Sequence, residues 1–244
     1  PIYGWNSLTK TEEGREIAYF YGLQTAGIFQ TQAQLDTHVK DGNPIQPNAG
    51  LGDVIFVDRN NDGVIDEKDR TYLGSATPDL TYGLSLSAAF KGIDLNLFFQ
   101  GTQGNEIANY MYAVLYSTDM TEWSNSNDMM NRWTPENATS NLPRIHAGDP
   151  NQNDRFSDRY IENGSYFRLR TLQVGYTLPE SVSKKIFLSK ARFYISADNV
   201  FTITKYTGFN PEIGDHFNSP LNAGVDVAAY PVPRTITIGC NLKF

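Results

Sequence analysis

Twelve consecutive residues, Asp58-Arg59-Asn60-Asn61-Asp62-Gly63-Val64-Ile65-Asp66-Glu67-Lys68-Asp69, set oxygen donors at relative positions 1, 3, 5, 9 and 12 around a glycine at position 6. A hard divalent cation needs this spacing. Ca²⁺ takes six or more oxygens, and Asp58, Asn60, Asp62, the Val64 carbonyl, Asp66 and Asp69 can converge on one ion when Gly63 makes the sharp turn. The plainer reading of the same residues is an Asx-rich surface turn holding no ion. Clustered carboxylates repel one another without a cation, which favours the first reading. Asp69 stands where a longer, bidentate Glu is usual, so the twelfth donor has a shorter reach. No helical periodicity flanks the loop. The expectation is therefore one structural Ca²⁺ clip within residues 52–70, not a paired sensor.

Other candidates for chemistry are sparse. His38, His146 and His216 fall in separate predicted loops and belong to no metal or nucleophile motif, and the lone Cys240 excludes an internal disulfide. No catalytic constellation is legible, so no enzymatic reaction is expected. The stretch 103–162 carries Tyr110, Tyr112, Tyr116, Trp123, Trp133 and Tyr160 among many Asn and Asp. Aromatic rings beside amides suit recognition of sugars or peptides, which makes Trp123, Trp133 and Tyr110 the candidate ligand residues. The plainer reading, and the favoured one, is that the same rings pack the loop onto itself or anchor a membrane interface.

These candidates hang on a β framework. The chain has 244 residues with 14 Tyr and 14 Phe, and its net charge of −7 comes without a Lys/Arg stripe, so nucleic acid is excluded as a partner. In Asp79–Phe90 the residues Leu80, Tyr82, Leu84, Leu86, Ala88 and Phe90 alternate with mostly polar or small ones. After Lys91-Gly92, Ile93, Leu95, Leu97 and Phe99 alternate against Asp94, Asn96 and Gln100, which completes a hairpin. Alternation recurs in 15–29 (Ile17, Tyr19, Tyr21, Leu23), in 190–203 (Phe193, Ile195, Ala197, Phe201) and in 233–244 (Ile236, Ile238, Cys240, Leu242, Phe244). In 165–178 the apolar parity changes near Thr171, through a bulge or through emergence from lipid.

No run approaches the roughly 20 apolar residues of a spanning helix, but these segments meet the roughly 9–11 residues of a tilted membrane strand. Short connections at 91–92 and 179–189 alternate with long ones at 30–78, 103–162 and 204–232, the pattern of periplasmic turns and extracellular loops. The fold expected is all-β, six or so antiparallel strands of a transmembrane β-barrel. Six strands cannot close a wide barrel, and the chain begins Pro1-Ile2-Tyr3 without Met, so it is expected to be part of a longer protein. The competing fold is a soluble β-sandwich, a secreted calcium-dependent adhesin or carbohydrate binder with its apolar faces in a core.

Several stretches resemble one family. Gly52-Asp53-Val54 through Asp62-Gly63 to Asp69-Arg70 and Leu73-Gly74, then Pro78 and Tyr82-Gly83, resembles the calcium-loop-to-strand segment of SusC/RagA-type TonB-dependent outer-membrane transporters. Glu162-Asn163-Gly164-Ser165-Tyr166-Phe167-Arg168-Leu169-Arg170 with Gly175-Tyr176-Thr177-Leu178-Pro179 is similar to the last-but-two strand of that family. The likeness continues through Ala197-Asp198-Asn199-Val200-Phe201 and Tyr206-Thr207-Gly208-Phe209-Asn210-Pro211-Glu212 to a last strand ending on Phe244. Asn210 departs from the Asp usual there, and the 103–162 loop has no transferable pattern. The resemblance implies the C-terminal wall of a barrel of roughly 22 strands in the bacterial outer membrane. It further implies a plug in the missing N-terminal region, energy delivered through TonB, a SusD-like surface lipoprotein as lid, and import of glycan or peptide nutrients.

Overall fold

Alternation builds the longest strands. The computed structural model describes residues 1–119 and 124–244, and in it five strands form one antiparallel sheet: β1 (Leu80–Phe90), β2 (Ile93–Gln103), β3 (Tyr166–Thr177), β4 (Lys190–Thr204) and β5 (Thr235–Lys243). Each pairs with its chain neighbour, in the order β5-β4-β3-β2-β1. Lys91 (φ 49°) and Gly92 (φ 86°) close the β1–β2 hairpin with both central residues left-handed, the turn whose twist matches the strands.

Register puts like with like. Leu86, Leu97 and Leu172 align across β1, β2 and β3, and Val174, Ile195 and Ile238 across β3, β4 and β5. The parity change in β3 is a bulge. Arg170 is skipped between Leu169 and Thr171, and Asn199-Val200 are skipped opposite it on β4, so Phe167, Leu169, Leu172 and Val174 all stay on one face. That face is apolar across all five strands and largely open, from half-buried Leu97 and Leu172 at its centre to Ile236 at 68% and Ile238 at 80%, with Leu169 buried within it. A β-sandwich would cover it; here it is open.

Aromatic side chains edge this face at both ends. Phe90, Tyr176 and Phe193 lie toward the Lys91-Gly92 turn. Tyr82, Phe99, Phe167 and Phe201 lie at the opposite end, where Phe99 and Phe167 stack at 5.4 Å. Aliphatic residues fill the space between. The other face is polar: Arg192 donates to Asp94 at 2.9 and 2.5 Å, Ser87 to Asn96 at 2.8 Å, and Thr171 to Asp198 at 3.0 Å.

Residues 1–76, 106–162 and 213–228 form a second compact unit. Its strands are short, for example Tyr19–Gly22 between Thr9–Thr11 and Thr71–Gly74, and Thr25–Ile28 against Val54–Phe56. Two apolar clusters fill it, Leu23, Ile28, Val54, Phe56 and Trp133 in one, Leu8, Phe20, Ala108 and Val225 in the other. The membrane strand expected over 15–29 is corrected here. Adjacent Tyr19 and Phe20 point to opposite sides and both are buried, so this stretch has no wet face and belongs to a packed module. The long sheet has five strands in consequence.

Candidate functional site

The 58–69 loop runs from the Val54–Phe56 strand toward the Thr71–Gly74 strand, and its acidic side chains organise its own backbone. Asp58 accepts the N–H groups of Asp62 (3.2 Å) and Gly63 (2.8 Å). Asn60 Oδ1 accepts Asp62 N–H (2.9 Å) and Asp62 Oδ1 accepts Val64 N–H (3.1 Å). Gly63 has φ +89°, a conformation that favours glycine, and a Cβ there would come within a tight 3.1 Å of the Lys40 side chain. Asp69, with no exposed surface, accepts Arg59 N–H through one oxygen and Asp66 N–H through the other, each at 2.8 Å. The residue expected as the twelfth donor thus ties the two ends of the loop together.

Cationic attraction is already visible. Lys68 Nζ lies 3.7 Å from Asp62 Oδ2 and 3.6 Å from Asp66 Oδ2. The Asn60 amide, then the Val64 N–H and Lys68, hold the Asp62 carboxyl below its ordinary range. Asp58, Asn60, Asp62, Val64 and Asp66 therefore share one turn, with Asp62 exposed and Asp58 and Asp66 half-buried. Among the described residues no three His, Cys, Asp or Glu side chains converge as a metal cluster as they stand. The donor set that suits Ca²⁺ is a mixed one, in which Asn60 and the Val64 carbonyl supplement the carboxylates.

The aromatic candidates have different settings. Trp133 is 8% exposed, packed in the cluster with Val54 and Phe56. Tyr110 packs edge-on against Trp5, with centroids 4.9 Å apart. Trp123 lies outside the described residues. Tyr112 and Tyr116 stack at 4.1 Å, and Tyr116 Oη donates to Asp128 at 2.6 Å, which raises that phenol's pKa. Trp133 and Tyr110 thus pack on residues outside the 103–162 stretch and Tyr112 and Tyr116 within it, and among the described candidates only partly exposed edges of Tyr110, Tyr112 and Tyr116 face solvent.

The amides thought to suit a ligand have a structural task that spacing alone did not reveal. Buried Asp53 accepts a two-pronged bond from Arg144, both at 2.8 Å, and a third from Asn153 Nδ2 at 2.9 Å. Asn153 Oδ1 accepts Val54 N–H (2.8 Å) and Asn151 Nδ2 (2.8 Å), while Gln46 bonds Val54 O (3.0 Å), Asn151 (2.9 Å) and Phe56 N–H (2.8 Å). The network stitches residues 46–56 to residues 144–153, segments about a hundred positions apart. The only sequence signal was an excess of Asn and Asp.

No protein-family model matches the chain. It is 35% identical over 237 residues to TonB-dependent receptor P3 of Formosa agariphila, covering 95% of this chain and 22% of that protein. Against TonB-dependent receptor SusC of Bacteroides thetaiotaomicron it is 26% identical over 208 residues, covering 84% and 18%. The solved RagAB peptide transporter matches with a TM-score of 0.75 at 24% identity, over 100% of this chain and 24% of that one. The chain belongs to the SusC/RagA-type TonB-dependent receptors. It spans about a quarter or less of the length of these relatives. The SusC/RagA likeness accounts for an all-β fold in which no described helix is long and apolar enough to cross a membrane. It also accounts for the combination of long strands with elaborate connecting loops.

Proposed function

We propose that this chain forms part of the wall and the external loops of an outer-membrane β-barrel that imports glycan or peptide nutrients. In this reading it works with a SusD-like surface lipoprotein and draws energy from TonB through regions outside this sequence. The observation that carries the reading is the exposed apolar face, continuous over five strands and edged by aromatics at both ends. Strands of 9 to 15 residues are long enough to cross a bilayer when tilted. An aliphatic band between two aromatic girdles is the lipid-facing surface of such barrels, and exposure to water would make it an aggregation surface. The polar face then lines the lumen, the short turns lie on the periplasmic side, and the long connections lie outside the cell.

On this reading Asp58, Asn60, Asp62, the Val64 carbonyl, Asp66 and Asp69 hold one Ca²⁺ that orders the external loops and takes part in no reaction. The shared turn and the attraction of Lys68 to Asp62 and Asp66 support it. The import reading is tested by expressing the whole receptor with its neighbouring lipoprotein and following uptake of labelled oligopeptides and oligosaccharides. Loss of uptake of one class on deleting the receptor supports the proposal and names the substrate. Unchanged uptake of both, or a receptor soluble without detergent, contradicts it.

A further inference from the structure

One end of the long sheet gathers lysines. The β1–β2 turn, the β3–β4 connection and the Lys243 end of β5 lie together, since Thr177 N–H donates to the Gly92 carbonyl and Ser189 N–H to the Lys243 carbonyl, each at 2.7 Å. Five of the nine lysines in the sequence are here, Lys91, Lys184, Lys185, Lys190 and Lys243, in a chain of net charge −7.

These lysines divide by position. Lys190 and Lys243 are cross-strand partners, in register with the polar face that carries Arg192 and Asn241. Lys91, Lys184 and Lys185 sit in the connections themselves, beside apolar side chains turned outward: Phe90, Ile186 and Phe187, the last 91% exposed. Lys91 Nζ lies 5.2 Å from the centroid of the Phe90 ring. Phe187 adopts φ 60°, a left-handed conformation that is costly for a bulky residue. Glu180 is the only acid in residues 178–189, and its 2.6 Å pair with Lys184 is exposed on both sides, where such pairs hold weakly.

We infer that this rim binds the headgroups of anionic phospholipids in the leaflet it faces. Phe90, Ile186 and Phe187 enter the boundary between acyl chains and headgroups, and Lys91, Lys184 and Lys185 pair with lipid phosphates. Lysines beside exposed rings suit that boundary, because the rings take the apolar side and the ammonium groups the wet side. The inference rests on the membrane reading of the sheet.

The test uses the full-length receptor in nanodiscs of phosphatidylethanolamine mixed with phosphatidylglycerol, with retained phosphatidylglycerol counted by native mass spectrometry. Each lysine near an anionic surface strengthens binding by about five-fold, so the triple variant Lys91→Gln, Lys184→Gln, Lys185→Gln should lose most of the retained lipid. The pair Lys190→Gln, Lys243→Gln should retain it. Equal retention in the triple variant, or an equal loss in the pair, overturns the inference. Where the triple variant does not assemble, a salt titration of the unaltered receptor decides. Phosphatidylglycerol retention should fall with rising NaCl while phosphatidylethanolamine retention holds, and salt-independent retention overturns the inference. Failure of the membrane reading is distinguishable, because the receptor would then stay in solution with no lipid or detergent at all.

Discussion

In the sheet unit 10 Lys and Arg stand against 5 Asp and Glu, a formal charge of +5, and most large apolar side chains on one face of the long strands are at least partly exposed; in the loop unit the counts are 10 and 22, a charge of −12, and two buried apolar clusters form its core. The sheet is held by backbone ladders between long strands, with side-chain pairs such as Arg192–Asp94 across its polar face. The loop unit has short strands and relies on buried amides and carboxylates to tie distant segments together. On the proposed membrane reading, the contrast reflects two solvents acting on one chain. Where hydrocarbon is the surroundings, exposure selects Leu, Ile and Phe; where water is, the core selects them and polar atoms must find partners within.

The contrast would break most dramatically at Asp53. Asp53→Ala leaves the Arg144 guanidinium and Asn153 without their shared acceptor, which should destabilise the loop unit by about 3–5 kcal/mol. Limited proteolysis of the whole receptor should then cut 46–56 and 144–153 early while the long sheet stays protected. A loss below about 1 kcal/mol would demote the network to surface decoration.

The sheet has the opposite sensitivity. Ile238→Arg, near the middle of the apolar face, should cost about 2–4 kcal/mol in urea unfolding from vesicles, whereas Thr237→Arg on the polar face should cost far less. Equal costs at the two positions would mean that both faces meet the same solvent.

Asp62→Ala sharpens the comparison, because it should act on one unit only. Calcium affinity measured by calorimetry should fall roughly tenfold or more with the loss of one charged donor, with the long sheet unchanged. An unaltered receptor that takes up no Ca²⁺ removes the ion from the account.

The smallest effect is a pH response confined to the loop unit. Burial holds the His38 imidazole below its ordinary range, against the opposing influence of Gln46 and Asp58. A depressed histidine contributes full stability above about pH 6.5 and loses it as pH falls, because the unfolded segment takes the proton first. Hydrogen exchange of residues 29–47, corrected for intrinsic rates, should therefore be faster at about pH 5.5 than at about pH 7.5, and His38→Asn should flatten the difference. The strands of the sheet should show none.

What the sequence disclosed follows the same division. Alternation located β1, β2, β3, β4 and β5 because a strand with one apolar and one polar face imposes a period of two on its own residues. It misplaced 15–29, where Ile17, Tyr19, Tyr21 and Leu23 alternate but Phe20 between them is buried as well. The parity slip near Thr171 could be heard in the sequence, but only the missing partner of Arg170 shows it to be a bulge. The tight Asx-rich turn at 58–69 was readable because its hydrogen-bonding side chains lie within 12 positions. The Asp53–Arg144 pair, 91 residues apart, and the packing of Trp133 against Val54 and Phe56 were not, because nothing local marks them.

The central claim is that the apolar face of the long sheet meets lipid. A cysteine scan through β5 in the full-length receptor, with Cys240 replaced by Ser, spin labels attached and the protein in bilayers, tests it most directly. Accessibility to dissolved oxygen should peak at positions 236, 238 and 242, and accessibility to a water-soluble nickel chelate at 235, 237 and 241. Labels at 236, 238 and 242 that respond to nickel, or that show no alternation, would contradict the account.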